Sequence, residues 1–162
     1  FRQTDNTARK AQRDIIESVE SGIDGPKALT TLQKGNYGEI KMDDFFESQG
    51  YRRLGADRIT DLNTPTHQGI DGIYYKKGGH PPYIIGEAKY GSARLSVLAD
   101  GTHQMSREWI TGGKCMSRLE AVVGKKGVDT ILDAGYNSVL VKIDPSGHIT
   151  TFLLDVNGKI IK

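Results

Sequence analysis

Two runs of sequence decide how this chain folds: Gly69-Ile70-Asp71-Gly72-Ile73-Tyr74-Tyr75 and Tyr83-Ile84-Ile85-Gly86-Glu87-Ala88-Lys89. Both are rich in β-formers, and Gly78-Gly79 and Pro81-Pro82 punctuate between them. They therefore read as two strands joined by a hairpin-like connection. Each run carries charge where a buried strand should have none. Side chains on a strand alternate, so Glu87 and Lys89 share one face and Ala88 takes the other. If the strands pair, Asp71 reaches the same patch. Two close carboxylates repel, and one tends to take up a proton. A divalent cation removes that conflict, and hard oxygen ligands with open positions suit magnesium or manganese. Such an ion polarises a phosphodiester and lowers the pKa of a bound water. Lys89 beside it can orient that water or neutralise developing negative charge. The plain alternative is a surface hairpin bearing an Asp and a Glu–Lys pair, because 26% of the residues are charged and such a triplet can arise by chance.

The rest of the chain is consistent with a globular domain. Its 162 residues suffice for one domain with one core. No apolar run approaches the length of a membrane span, and no stretch reads as a signal peptide. The opening Phe1, in place of Met, is expected of a fragment or a processed domain. Cys115 is the single cysteine, which excludes an internal disulfide. A net charge of +2 permits a nucleic-acid partner without requiring one.

Residues 1–34 read as an N-terminal helical segment, and 35–162 as the main body of one compact domain. Ala8, Ile15, Ile16, Val19 and Ile23 recur at helical spacing behind Thr4, Asp5 and Asn6 as caps. Arg2, Arg9, Lys10 and Arg13 make that helix basic, as a solvated face or a phosphate contact. Asp24-Gly25-Pro26 separates it from a second helix with Ala28, Leu29 and Leu32 inward. A third helix opens at Gly35, with Met42, Phe45, Phe46 and Gln49 as its inner stripe. Glu39 borders that stripe. It is either an acid favoured by the helix dipole or a third carboxylate leaning towards Asp71 and Glu87. Tyr51 to Leu54 reads as the first strand, and 58–62 as a further β-type run. Arg52, Arg53 and Arg58 are solvated or form a cluster that holds phosphates.

His67, four residues before Asp71, has three readings: a supporting group, a zinc ligand or an idle loop histidine. No His or Cys cluster has structural-zinc spacing. Residues 104–110 read as a short helix with Met105 and Trp109 inward. Cys115, Leu119, Val122 and Val123 mark the next helix, with Cys115 buried. Val128, Ile131 and Leu132 mark the last, ended by Gly135. Residues 138–143 form a strand, 144–147 a turn, and 149–156 the returning strand. Asn157-Gly158 predicts a tight hairpin to Lys159-Ile160-Ile161, whose strand offers an edge for pairing.

Asp71, followed on the next strand by Glu87-Ala88-Lys89, resembles the PD-(D/E)XK nuclease superfamily, with Ile70 in place of the eponymous proline. Glu39 matches the Glu that many members carry on the helix before the first core strand. Gln104 matches the Gln or Lys that several families place after the Glu-x-Lys strand. Glu87-Ala88-Lys89-Tyr90-Gly91, with the later Gly101-Thr102-His103-Gln104-Met105-Ser106-Arg107-Glu108-Trp109, looks like bacterial polymorphic-toxin nucleases. These include the C-terminal toxin domains of contact-dependent growth inhibition proteins. The resemblance covers roughly residues 35 to 155.

It implies an α/β, restriction-endonuclease-like core with a mixed central sheet flanked by helices, and a metal-dependent endonuclease. Asp71, Glu87 and the backbone carbonyl of Ala88 would hold a divalent metal, Mg2+ first, with Mn2+ or Zn2+ as alternatives. Lys89 would assist the attacking water, and Glu39 and Gln104 would complete the catalytic set. The implied substrate is DNA in the cytoplasm of a target bacterium. The domain would arrive there as the end of a larger secreted or cell-surface protein, and a cognate immunity protein would block it. Two other readings stand beside this one. The first is an RNase, cleaving tRNA on the same fold; the second is a non-catalytic nucleic-acid- or protein-binding module with a vestigial site.

Overall fold

Adjacent isoleucines on one strand report the architecture: Ile84 belongs to one hydrophobic cluster and Ile85 to another. Neighbouring strand residues point to opposite faces, so the sheet is covered on both sides. The computed structural model describes residues 2–55 and 58–162, with the side chains of residues 2–4 outside that description. In order, the elements are α1 (Arg2–Glu20), a turn of 3-10 helix (Gly25–Ala28), α2 (Thr31–Ser48), β1 (Arg52–Leu54), β2 (Gly72–Tyr75) and β3 (Tyr83–Tyr90). There follow α3 (Arg107–Thr111), α4 (Arg118–Ala134), β4 (Tyr136–Ile143) and β5 (Ile149–Leu154). The strands form one five-stranded sheet in chain order. β3 and β4 are parallel, and the other neighbours are antiparallel. A parallel pair needs a crossover, which the segment carrying α3 and α4 supplies. The expected class, α/β with a mixed sheet flanked by helices, is the observed one.

On one face Ile84, Val139, Val141 and Ile143 meet Tyr37, Met42 and Phe46 of α2 and Val19 of α1. On the other, Ile85 and Leu140 meet Trp109 and Ile110 of α3 and Leu119 and Ile131 of α4. Burying each such side chain is worth about 1.5–3 kcal/mol, which is what holds the helices to the sheet. Gly86 faces α2, where an added Cβ would stand 2.9 Å from Met42 Sδ. The glycine before Glu87 therefore lets α2 lie close to β3.

Local chemistry moves several expected boundaries. Thr30 and Gln33 form a reciprocal capping box, so α2 starts at Thr31 and the expected start at Gly35 lies inside it. Leu32 is exposed there rather than inward. The helix α1 already includes Thr4, Asp5 and Asn6, so these do not cap it; the side chains of Thr4 and Arg2 lie outside the described residues. Ile23 falls beyond α1 and is fully exposed. Of the run 58–62, none of the residues is in a strand; Ile59 is buried, but its carbonyl accepts from Gln12 Nε2 at 2.9 Å instead of from a ladder. Ser117 caps α4 by accepting the Glu120 N–H, so Cys115 precedes the helix and is exposed, not buried. Gly124, at φ 74°, kinks α4, which accounts for the two helical stripes read there. The tail turns as expected at Asn157-Gly158, with the Gly158 N–H donating to the Asp155 carbonyl and Leu154 bridging to Ile160. Among the described residues, no helix is long and apolar enough to cross a membrane.

Candidate functional site

The β2–β3 register brings two acids together. Gly72 pairs with Gly86 and Ile73 with Ile85, so one further step sets Asp71 opposite Glu87. Asp71 stands just before β2 rather than in it. Its Oδ2 accepts the Ala88 N–H at 3.0 Å, and its own carbonyl accepts from Arg53 Nη2 at 3.2 Å. Lys89 Nζ lies 3.4 Å from Glu87 Oε2. Asp71, Glu87 and Lys89 thus converge. Glu87 is 4% exposed, and among the described residues its Oε1 has no hydrogen-bond partner unless a proton is shared with Asp71. With both acids ionised that oxygen faces no donor; a proton or a cation between the carboxylates would satisfy it.

Glu39 and His67 close the group from outside the sheet. His67 Nε2 is 2.9 Å from Glu39 Oε1 and 3.8 Å from Asp71 Oδ1. Asn36, one turn before Glu39, donates to the carbonyls of Leu62 and Thr64, both at 2.7 Å. That pair of bonds fixes the loop preceding His67 to α2. The acid at the border of the α2 stripe therefore does lean towards Asp71, and the loop histidine is bonded rather than idle.

Charge in this corner is poorly compensated. Burial pushes Glu39 up to about 7; the hydrogen bond from His67 opposes that, and nearby Asp71 adds to it. His67 is raised to about 9, chiefly by its bond to Glu39. Burial raises Asp71 above the usual carboxylate range despite the Ala88 N–H. Glu87 is raised well above it by burial and by Asp71. Three acids that resist ionising together, one buried oxygen without a donor, and oxygen and imidazole donors at short range make a set that fits a divalent cation. One donor atom each from Glu39, His67 and Asp71 lies within 4.8 Å of the other two. The group lines a cleft of about 760 Å³, walled also by Ser96, Gln104, Ser117 and Arg118.

The remaining expected site residues divide. Ala88 lines the cleft and commits its N–H to Asp71. Gln104 also borders it, but from a turn before α3 rather than from a helix, because Ser106 is the α3 cap. Its Oε1 accepts from the Ser96 N–H at 3.0 Å and hydroxyl at 3.2 Å. The expected phosphate-holding arginine cluster does not form. The Arg53 side chain is 7% exposed and paired with Asp43 at 2.6 Å. The Arg58 side chain is 8% exposed and paired with Glu47 and with Asp5. Arg52 is exposed on edge strand β1, over the Tyr75 ring, away from the cleft. The reason is two buried acids on α2 that the sequence reading missed. Asp43 and Glu47 are buried on α2, whereas Gln49, expected on the inner stripe, is exposed, and buried carboxylates need cations. Their spacing of one helical turn, flanking Phe46, was the available signal.

Comparison with protein-family models, with curated proteins and with solved structures finds no match for this chain.

Proposed function

We propose that this chain is a metal-dependent endonuclease of the PD-(D/E)XK kind, with a restriction-endonuclease-like core, hydrolysing phosphodiester bonds in DNA. The carrying observation is the meeting of Asp71, Glu87 and Lys89 in one cleft, with Glu87 Oε1 buried and lacking a donor. Asp71 and Glu87 would hold the divalent cation, with the Ala88 carbonyl as a further ligand. Bound there, the ion would polarise the scissile phosphate and lower the pKa of a bound water. Lys89, beside Glu87, would orient that water or neutralise the charge that grows on the phosphate. Glu39 adds a third negative charge from α2, and Gln104 forms part of the cleft wall. By the resemblance to polymorphic-toxin nucleases, the domain acts in the cytoplasm of a target bacterium and is blocked by a cognate immunity protein.

The test is nicking of supercoiled plasmid with magnesium, manganese, zinc or chelator, with total RNA in parallel. Metal-dependent nicking that disappears in Asp71→Ala supports the reading. Cleavage of RNA alone reassigns the substrate. Cleavage of neither, with no calorimetric metal binding, leaves a binding module and ends the proposal.

A further inference from the structure

His67 enters the cleft from a loop, yet its surroundings are those of a ligand. Nδ1 lies 3.4 Å from the Gln68 carbonyl, an oxygen that can only accept, so a bond there requires the proton on Nδ1. Nε2 lies 2.9 Å from Glu39 Oε1 and 3.8 Å from Asp71 Oδ1, so in the metal-free state its own proton bridges to Glu39, in the place that a cation would take. An ion displacing that proton would be shared by one imidazole nitrogen and two carboxylates. A backbone carbonyl behind the ring is also the usual partner that fixes the tautomer of a metal-bound imidazole. Donor atoms around an ion with bonds of about 2.0–2.1 Å stand roughly 3–3.5 Å apart, and the two measured separations bracket that range. Glu39 comes from α2, whereas His67 and Asp71 stand four residues apart just ahead of β2, so it is the fold that brings Glu39 to the other two. Glu87, 4% exposed with Oε1 lacking a donor, borders the same cleft from β3.

We propose that His67 is a metal ligand, and that Glu39, His67 and Asp71 present one imidazole nitrogen and two carboxylates that select a first-row transition ion such as zinc over magnesium. This rests on the reading of Asp71 and Glu87 as metal-binding acids. Magnesium takes oxygen donors and holds its waters, whereas imidazole suits zinc, cobalt and nickel. The other role for His67 is a plain ion pair with Glu39.

The test is calorimetric titration of the chelator-stripped protein with zinc and with magnesium, for wild type, His67→Ala and Asp71→Ala. The His67 ring nitrogens of wild type are followed by NMR during the zinc titration. The expected result is zinc at least about 100-fold tighter than magnesium, and a shift of the His67 nitrogens as zinc binds. In His67→Ala zinc weakens by roughly tenfold or more, while magnesium stays within about twofold. Wild-type zinc affinity in His67→Ala, or His67 ring signals unmoved by zinc, overturns the inference and leaves the acids as the site. Unchanged binding of both metals in Asp71→Ala overturns the metal-site reading itself, and this inference with it.

Discussion

Asp71 Oδ2 accepts the Ala88 N–H at 3.0 Å, one step beyond the last paired residues of β2 and β3, Gly72 and Gly86. One carboxylate oxygen is thus committed to closing the strand pair, and the other, Oδ1, faces His67. The two duties separate by substitution. Asp71→Asn keeps a carbonyl for the Ala88 N–H, so it should melt near wild type or above it while losing metal. Asp71→Ala strands a buried N–H and should in addition cost about 1–3 kcal/mol. Urea unfolding of both variants, paired with metal calorimetry, checks this. Equal stability of the two would show that the bond to Ala88 contributes nothing.

Lys89→Ala should separate chemistry from folding. The side chain is 21% exposed, and its buried partner Glu87 already resists ionising, so the metal-free fold answers the loss by keeping Glu87 protonated and its cost in stability is small. Removing a cation beside two acids should leave metal affinity unchanged or raise it. Cleavage should fall by about 100-fold or more, the scale of losing one transition-state charge partner. Single-turnover plasmid cleavage at saturating metal reads this directly, and full activity in the variant would remove Lys89 from the mechanism.

How much was legible beforehand depends on the range of the interaction. The β2–β3 pair, the sharing of a face by Glu87 and Lys89, and the inward Trp109 all follow from period and turn chemistry, whereas Met105 is inward as expected but from a turn before α3. Those are local signals, and the structure keeps them. Boundaries failed where a single side chain sets them: the Thr30–Gln33 box and the Ser117 cap each move a helix start. Arg53 and Arg58 were misread because their partners lie elsewhere. Arg58 pairs with Glu47 of α2 and Asp5 of α1, and no pattern near Arg58 announces either. His67 was undecidable for the same reason, since Glu39 reaches it from a separate helix.

Metal-free protein should lose stability as the pH rises from about 5 to 9. Glu39 titrates at about 7 when folded, against an ordinary 4.5. The native state therefore keeps a proton that the unfolded chain releases across that window, and stability falls. His67 titrates at about 9 against an ordinary 6.5. Its stabilisation is full below 6.5 and is lost as the pH passes through 9. Both groups act in the same direction. Urea midpoints in chelator across this range check it, and a midpoint that climbs with pH contradicts the burial of Glu39. Saturating metal should flatten the trend, because the native acids are then held ionised.

Asp43 should be among the costliest single sites for stability. Its carboxylate accepts from Gln12 Nε2 at 2.8 Å, from Arg53 at 2.6 Å and from the Tyr74 hydroxyl, joining α1, α2, β1 and β2. Asp43→Ala leaves the Arg53 guanidinium buried without its carboxylate, at a cost of about 3–5 kcal/mol. Gly72→Ala strikes the same network from another side. An added Cβ would stand 2.5 Å from the Tyr74 hydroxyl and 2.9 Å from Arg53 Nη1. A cost of about 1–3 kcal/mol is expected for such overpacking. Chemical denaturation of both variants checks the pair, and a neutral Asp43→Ala would mean that the network does not hold these elements together.

Glu87→Gln should stabilise the metal-free fold while destroying the site. Glu87 is buried beside Asp71, both are pushed towards the protonated form, and Oε1 has no donor. The amide matches the protonated acid in shape and carries no charge, so it removes the repulsion and can donate to Asp71. Metal-free Glu87→Gln should therefore melt above metal-free wild type at neutral pH, with the margin shrinking as acid protonates the wild-type pair. Added metal should reverse the order. A ligand bound only by the folded state stabilises by RT ln(1 + [L]/Kd), about 2.7 kcal/mol at 100 times Kd, and only wild type would gain it. Calorimetric scans of both proteins, with chelator and with metal, give four melting temperatures whose crossing is the expected outcome. If the variant melts below wild type without metal, Glu87 makes a favourable native contact, and its strain as an unpartnered acid is not what prepares this cleft for a cation.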